Sequence, residues 1–95
     1  MDIQVIDIRL LLGHKATRAF CDIRLNEIVV RDFRVMQNGG KPYIRAPFST
    51  YKNQHGELCF RQIVDLPEEV RGQVDNLVLS AFYREKEREN GRPEK

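Results

Sequence analysis

The fold class is decided in residues 57–82, which read ELCFRQIVDLPEEVRGQVDNLVLSAF. As far as Val64, apolar and polar residues alternate, which is the period of a half-buried β-strand. Beyond it, apolar residues return every three to four positions, which is the period of an α-helix with one buried face. Residues 65–68, Asp-Leu-Pro-Glu, separate the two periods and predict a helix start with Asp65 as its N-cap. We therefore expect a strand followed by one helix over about residues 67–89.

The predicted helix carries a single apolar stripe. Its members recur at i, i+4, i+7, i+8, i+11 and i+12, and they are Val70, Val74, Leu77, Val78, Ala81 and Phe82. Such a stripe indicates that the helix packs on a sheet. Beyond Tyr83 nearly all residues are charged, so we expect residues 90–95 to form a flexible tail.

The chain before this stretch consists of short segments rich in Ile, Val, Phe, Tyr and Arg, which are separated by turn residues about every ten positions. This pattern is typical of consecutive antiparallel strands. Strands are predicted at residues 3–12, 17–25, 28–36, 42–46 and 57–64, with a polar loop over residues 48–56. Together these elements predict one α+β domain over residues 1–95: a twisted antiparallel sheet of four to five strands, followed by one long C-terminal helix packed on it.

The alternation within three of these strands makes specific predictions. In the first strand, one face holds Ile6, Ile8, Leu10 and Leu12. The second strand alternates Ala19, Cys21, Ile23 and Leu25 with polar and aromatic residues. The third strand changes its pattern midway, which a bulge near Val30 would reconcile. The fourth strand lies between Pro42 and Pro47, so we expect it to be short or at an edge.

Length and composition limit the function classes. The chain has 95 residues, and its 16 Lys+Arg against 14 Asp+Glu give a net charge of +2, too small to indicate a nucleic-acid or membrane partner by itself. No apolar run approaches the roughly 18–20 residues of a membrane span, and no signal-peptide pattern is present, so we expect a cytoplasmic protein. Small domains gain stability from a second copy, which favours a homodimer.

No constellation of catalytic, metal-binding or nucleotide-binding residues can be named, so we expect no enzyme, no cofactor, no metal and no small-molecule substrate. His14 and His55 lie in Gly-containing turns and are predicted to be solvated loop residues. Cys21 and Cys59 are too far apart for a metal-binding spacing, and we expect both to be small core residues.

The arginines carry the strongest functional signal. Residues 1–66 hold ten Lys+Arg against seven Asp+Glu, whereas residues 67–95 hold six against seven. The predicted nucleic-acid-binding residues are Arg31, Arg34, Arg45, Lys52, Arg61, Arg84, Lys86 and Arg88. Guanidinium groups bind phosphate through paired hydrogen bonds, and neighbouring aromatic side chains (Tyr43, Phe48 and Tyr51) can stack on an unpaired base. The alternative is that aspartates of the same strands (Asp7, Asp22 and Asp32) pair with the arginines on a solvated face.

Several segments in order give a family resemblance. Residues 5–10 read VIDIRL, residues 28–35 read IVVRDFRV and residues 43–47 read YIRAP. In that order they resemble the V-T-D-V-R-L, F-V-V-x-D-I-R-V and F-V/I-A-M-P-S segments of the stage V sporulation protein G (SpoVG) family. Residues 56–58, Gly-Glu-Leu, resemble the family's next strand, G-E-F/Y, and a terminal helix comes after it.

The resemblance implies a small bacterial regulator of gene expression, septation or sporulation, which binds DNA and RNA as a homodimer and is not an enzyme. The family's basic pair after the A-M-P-S segment is tied to nucleic-acid binding. Here Arg45 and Lys52 flank the matching loop, and the cations at 84, 86 and 88 match the family's basic helix region in charge. The alternative function is a protein-interaction adaptor in cell division that does not bind nucleic acid directly.

Overall fold

The computed structural model of the chain describes residues 1–13 and 15–90. In chain order its elements are β1 (Ile3–Leu10), β2 (Thr17–Leu25), β3 (Ile28–Met36), β4 (Tyr43–Arg45), β5 (Phe48–Lys52), β6 (Leu58–Gln62) and α1 (Glu68–Asn90). The predicted α+β class and the long C-terminal helix are confirmed. The prediction for His14 and residues 91–95 of the predicted tail over 90–95 lie outside the described residues, whereas Asn90 belongs to α1. Within the described part, no helix is both long and apolar enough to cross a membrane.

The strands form two sheets, whereas the sequence predicts one. Four antiparallel strands are ordered β1-β2-β3-β4, and β5 pairs with β6 in a separate hairpin. The predicted loop over residues 48–56 is therefore wrong for its first half, which is β5. The hairpin turn is built by Asn53, whose side-chain oxygen accepts hydrogen bonds from the backbone N–H groups of His55 and Glu57 at 2.9 and 3.0 Å. Gly56 completes the turn with a φ of 76°, which glycine adopts without strain.

The main sheet ends at β4, which is an edge strand. β4 has three residues and, among the described strands, pairs with β3 alone, as its flanking prolines predict. Pro47 has no N–H group to continue a ladder, and the chain turns away after it into β5. The hairpin is joined to this corner by a hydrogen bond from the Ile63 N–H to the Pro47 carbonyl oxygen, 3.0 Å long.

The core lies between α1 and one face of the four-stranded sheet. Its buried side chains are Ala19, Cys21, Ile23, Leu25, Phe33, Val35, Ile44, Val74, Val78 and Phe82. The alternation predicted for β2 is confirmed. Cys59, by contrast, is only half-buried and lies outside this core. The helix is turned slightly from the predicted stripe: Leu77 is exposed, and Leu79 packs on the core instead. The flank that carries Arg71, Asp75 and Leu79 thereby turns towards the sheet.

Two β-bulges change which side chains face the core. In β1 the register shifts between Val5 and Asp7, so Ile6 is 44% exposed although the alternation predicts it buried. Leu12, which lies beyond the end of β1, is 98% exposed. In β3 the register shifts between Val30 and Phe33, as predicted. A bulge inserts an unpaired residue and reverses the facing of the residues after it, which simple alternation does not reveal.

The start of α1 also differs from the prediction. The Pro67 carbonyl oxygen accepts a 2.8 Å hydrogen bond from the Arg71 N–H, and the helix begins at Glu68. Pro67 therefore occupies the capping position that was predicted for Asp65, and the helix extends one residue beyond the predicted end. Two glutamates in the first turn face the positive end of the helix dipole, which stabilises this start.

Candidate nucleic-acid interface

A row of directly paired residues crosses the outer face of the main sheet, which is the face turned away from α1. The row consists of Arg9 on β1, Phe20 on β2, Arg34 on β3 and Arg45 on β4, each opposite the next. The neighbours of Phe20 along β2, Ala19 and Cys21, face the core, so the row faces outwards. Residues paired across antiparallel strands have Cβ atoms about 5 Å apart, so the side chains of the row lie in contact range.

Arg34 and Arg45 stack on the same aromatic ring. Their guanidinium carbons lie 4.4 and 4.0 Å from the centroid of the Phe48 ring. Arg34 also lies 5.2 Å from the Phe20 ring, and Arg45 lies 5.2 Å from the Phe60 ring. Neither arginine forms an ion pair or a side-chain hydrogen bond with any residue that the structure describes. A contact with a ring does not give the guanidinium N–H donors a hydrogen-bond acceptor, so these donors stay available to an anion.

The aromatic rings fasten the hairpin to the sheet. Phe48 of β5 and Phe60 of β6 pack edge to face with centroids 5.8 Å apart. A two-stranded hairpin alone is marginally stable in water. The guanidinium groups that could contact an anion therefore also hold the hairpin in place, each cation–π contact contributing about 0.5–1 kcal/mol. We call Arg34 and Arg45, which both contact the Phe48 ring, the stacked arginine pair.

Arg31 lies in a different environment on the same sheet face. Its Nη1 donates to the buried Asp22 carboxylate at 3.0 Å, and Arg9 donates to both oxygens of that carboxylate at 3.0 and 3.1 Å. The backbone N–H of Asp32, on the β3 bulge, donates to Asp22 as well, at 3.1 Å. Arg9 in turn pairs with the carboxylates of Asp7 and Asp32. These five charged residues form what we call the aspartate network.

The charge of the aspartate network does not favour an anion. Two arginines face three aspartates there, a net charge of −1, whereas the two guanidinium groups of the stacked arginine pair have no carboxylate bound to them among the described residues. Hydrogen bonds from Arg9, from the Asp32 backbone and from Arg31 lower the pKa of Asp22, although burial opposes this. The salt-bridged alternative considered for the arginines therefore describes this end of the sheet.

The other predicted binding residues are spread over three surfaces. Lys52 is on the same hairpin face as Phe48, four residues or roughly 13 Å along β5. Arg61 pairs with Ser49 and lies on the opposite hairpin face. Of the helix cations, Lys86 lies 5.3 Å from the Phe82 ring, and Arg88 pairs with Glu85 at 3.2 Å.

The helix cations are also far from the stacked arginine pair. Arg71 lines a cleft beside Arg45, and Lys86 comes fifteen residues later, or about 22 Å along the helix. Lys86 instead borders a groove with Leu10 and Arg18 at the β1 edge. The structure thus brings Arg34, Arg45 and Lys52 to one side, and places Arg31, Arg61 and the cations at 84, 86 and 88 elsewhere.

Sequence reasoning missed residues that adjoin the stacked arginine pair. Arg71 and Asp75 of α1 line the same cleft as Arg45, Phe48 and Phe60, and the cleft has a volume of about 300 Å³. Their spacing predicts only that Arg71 and Asp75 are neighbours, because residues four apart lie one turn apart on the same flank of a helix. Only the rotation of α1 on the sheet shows that this flank lines the cleft beside the hairpin.

Comparison with known proteins adds no family to this description. No family model matches the chain, and no curated protein matches its sequence. The class of molecule is therefore defined by the fold and the site: an α+β domain whose outer sheet face carries two guanidinium groups that contact an aromatic ring and bind no carboxylate of residues 1–13 and 15–90.

Proposed function

We propose that this protein is a small, non-enzymatic regulator of the SpoVG type that binds DNA or RNA phosphates through Arg34 and Arg45, affecting gene expression, septation or sporulation. The observation that carries the proposal is the stacking of both guanidinium groups on Phe48 without any carboxylate partner among the described residues. Arginine donors that are held in place but not consumed by an ion pair are suited to phosphate.

Electrostatics supports the proposal. Arg34 and Arg45 are directly opposed across two strands, so their like charges repel. The electron-rich face of the Phe48 ring offsets part of this repulsion, and a phosphate that accepts from both groups would offset more. The fixed aromatic platform also limits the side-chain entropy that binding would cost.

The proposed active form is a cytoplasmic homodimer, because one such surface contributes few phosphate contacts. Lys52 lies on the same hairpin face and adds a third cation to each subunit. A dimer then presents six cations, and two linked surfaces bind one polymer more tightly than either surface alone. Six neutralised phosphates correspond to a slope of about −5 for the logarithm of affinity against the logarithm of salt concentration.

The test is a fluorescence-anisotropy titration of duplex DNA and single-stranded RNA at several salt concentrations. The double variant Arg34→Gln, Arg45→Gln removes four of the six contacts per dimer, so the slope should change from about −5 to about −2. The matched control, Arg84→Gln, Arg88→Gln, has the same change in charge on α1 and should keep the steep slope. A third variant, Arg34→Lys, Arg45→Lys, keeps the charge and should retain most of the slope.

Three results would contradict the proposal: no binding by the folded wild-type protein at low salt, an unchanged slope for the Gln variant, or an equal loss in the helix control. Circular dichroism of each variant verifies that a loss of binding is not a loss of fold.

Absence of binding by the folded wild-type protein would favour the alternative function, a protein-interaction adaptor, for which the hairpin offers a specific observation. Leu58 and Phe60 on one face of the hairpin, Tyr51 on the other, and Ile63 just after it are each more than half exposed, and exposed apolar side chains of this kind are typical of contacts with a protein partner.

A further inference from the structure

The cleft beside the stacked arginine pair has the features of a site for one planar group. It lies between β4, the hairpin and the first turns of α1, and its volume is about 300 Å³. Phe48 and Phe60 supply an aromatic wall, and Phe60 is 56% exposed. An exposed ring in a cleft next to cations is a stacking surface for an unpaired base.

Two charged side chains of α1 line the cleft without a side-chain hydrogen bond or a close ion pair to any described residue. Asp75 is half-buried, yet within residues 1–13 and 15–90 it makes no hydrogen bond and no ion pair. Arg71, one turn earlier, likewise forms no ion pair with any described residue. Burial raises the pKa of Asp75, and the positive charge of Arg71 opposes this effect. A carboxylate that has lost water without gaining a donor is a group that a ligand with N–H donors would satisfy.

We infer that the cleft binds an unpaired guanine of a single-stranded nucleic acid, with Asp75 accepting hydrogen bonds from the N1–H and N2–H groups of the base, and this rests on the nucleic-acid binding proposed above. Arg71, on the same helix flank, donates to the adjacent O6 oxygen. Arg45 binds the neighbouring phosphate. The base in the cleft and the phosphate outside it then lie on either side of Phe48 and Phe60. Stacking on Phe60 supplies the contact that does not depend on sequence.

The donor pattern selects guanine among the bases. A carboxylate has two acceptor oxygens and no donor, and guanine alone presents two neighbouring N–H donors on its Watson–Crick edge. Adenine and cytosine each place a ring-nitrogen acceptor beside their amino group, which would face the negative charge of Asp75. Thymine and uracil offer one N–H between two carbonyl oxygens. In a duplex the same guanine edge is occupied by cytosine, so the site requires an unpaired base.

The test uses a nine-residue thymidine oligonucleotide whose central base is thymine, guanine, inosine or adenine, titrated into the full chain by fluorescence anisotropy. Guanine should bind about tenfold more tightly than adenine, which lies within the roughly 5- to 150-fold discrimination of a good two-bond contact. Inosine lacks only the N2 amino group and should fall between them. The thymine oligonucleotide reports backbone binding alone.

Two variants assign the preference to the cleft. Asp75→Asn has nearly the same shape but a single acceptor, and it should lose the guanine preference while it binds the thymine oligonucleotide as the wild type does. Glu69→Gln removes the same charge from the same helix outside the cleft, and it should keep the preference. Equal, salt-dependent binding of all four oligonucleotides would overturn the inference and leave the proposed function standing. A guanine preference that persists in Asp75→Asn would also overturn it, and no binding of any oligonucleotide would overturn both.

Discussion

The outer face of the sheet holds two groups of arginines that differ only in their neighbours. At one end, Arg9 and Arg31 converge on the buried carboxylate of Asp22. At the other end, Arg34 and Arg45 stack on Phe48 and pair with no carboxylate among the described residues. The comparison shows that the number of cations on a face says little about anion binding. The deciding factor is whether a carboxylate or an aromatic ring occupies the space between them.

The backbone creates the difference. The β3 bulge turns Asp32 to a φ of 66°, a conformation that aspartate tolerates better than most residues, and aims its N–H at Asp22. Asp22 thus gains a backbone donor in addition to two guanidinium partners and can be buried as an ion. Between Arg34 and Arg45 the pairing of β3 with β4 is regular, and the hairpin contributes rings rather than acids.

Removal of Asp22 should break the aspartate network and have the largest effect on stability. Asp22→Ala loses the hydrogen bonds from Arg9, Arg31 and the Asp32 backbone, and we expect the free energy of unfolding to fall by about 3 kcal/mol. Chemical denaturation measures it. The control Asp7→Ala removes an exposed partner of Arg9 and should cost less than about 1 kcal/mol. Equal effects would mean that burial of Asp22 adds nothing.

The same network predicts how stability depends on pH. The folded protein lowers the pKa of Asp22, chiefly through the hydrogen bonds from Arg9, so the unfolded chain binds the proton more tightly. The stability contributed by Asp22 is therefore complete above its unfolded pKa of about 3.9 and is lost as the pH falls through the lower folded pKa. Denaturation curves of wild type and Asp22→Asn should converge on acidification. Curves that stay parallel would contradict the network.

Single substitutions sharpen the comparison between the two arginine groups. Arg45→Gln should reduce the steepness of the salt dependence from about −5 to about −4, because a dimer loses two of its six phosphate contacts. Arg31→Gln removes the same charge from the aspartate network and should leave the slope near −5. The measurement is anisotropy at several salt concentrations. If both variants lower the slope equally, the carboxylates around Arg31 do not govern anion binding.

Much of this architecture can be predicted from the sequence, because its signals are local. The change of period after Val64 predicts the helix, and the alternation along β2 predicts four of the ten buried core residues. The separation of the hairpin is not local, since residues 48–52 look polar and their strand is shown only by pairing with β6. For the site, composition identifies arginines but not their partners. Whether Arg31 meets Asp22 or Arg45 meets Phe48 depends on a bulge and on a second sheet.

Loss of the ring that both arginines contact should loosen the hairpin without unfolding the sheet. Phe48→Leu keeps an apolar side chain but removes two cation–π contacts and the edge-to-face contact with Phe60, so we expect local stability to fall by about 1–2 kcal/mol. Hydrogen exchange should then quicken in β5 and β6 and stay unchanged in β2. Phe20→Leu, which removes only the contact with Arg34, is the control and should leave the hairpin protected. Equal protection in both variants would show that the rings do not fasten it.

The smallest expected effect concerns Asp75. Unlike Asp22, its carboxylate accepts no hydrogen bond from any described residue. Burial raises the pKa of Asp75, so the folded protein binds its proton more tightly than the unfolded chain does, and its ionisation costs stability above that pKa. Asp75→Asn should therefore raise the free energy of unfolding slightly at neutral pH, by less than about 0.5 kcal/mol, and change nothing below the unfolded pKa. This is the opposite sign from Asp22→Asn. A clear loss of stability in Asp75→Asn would mean that the carboxylate has a structural partner, and would remove the reason to expect one from a ligand.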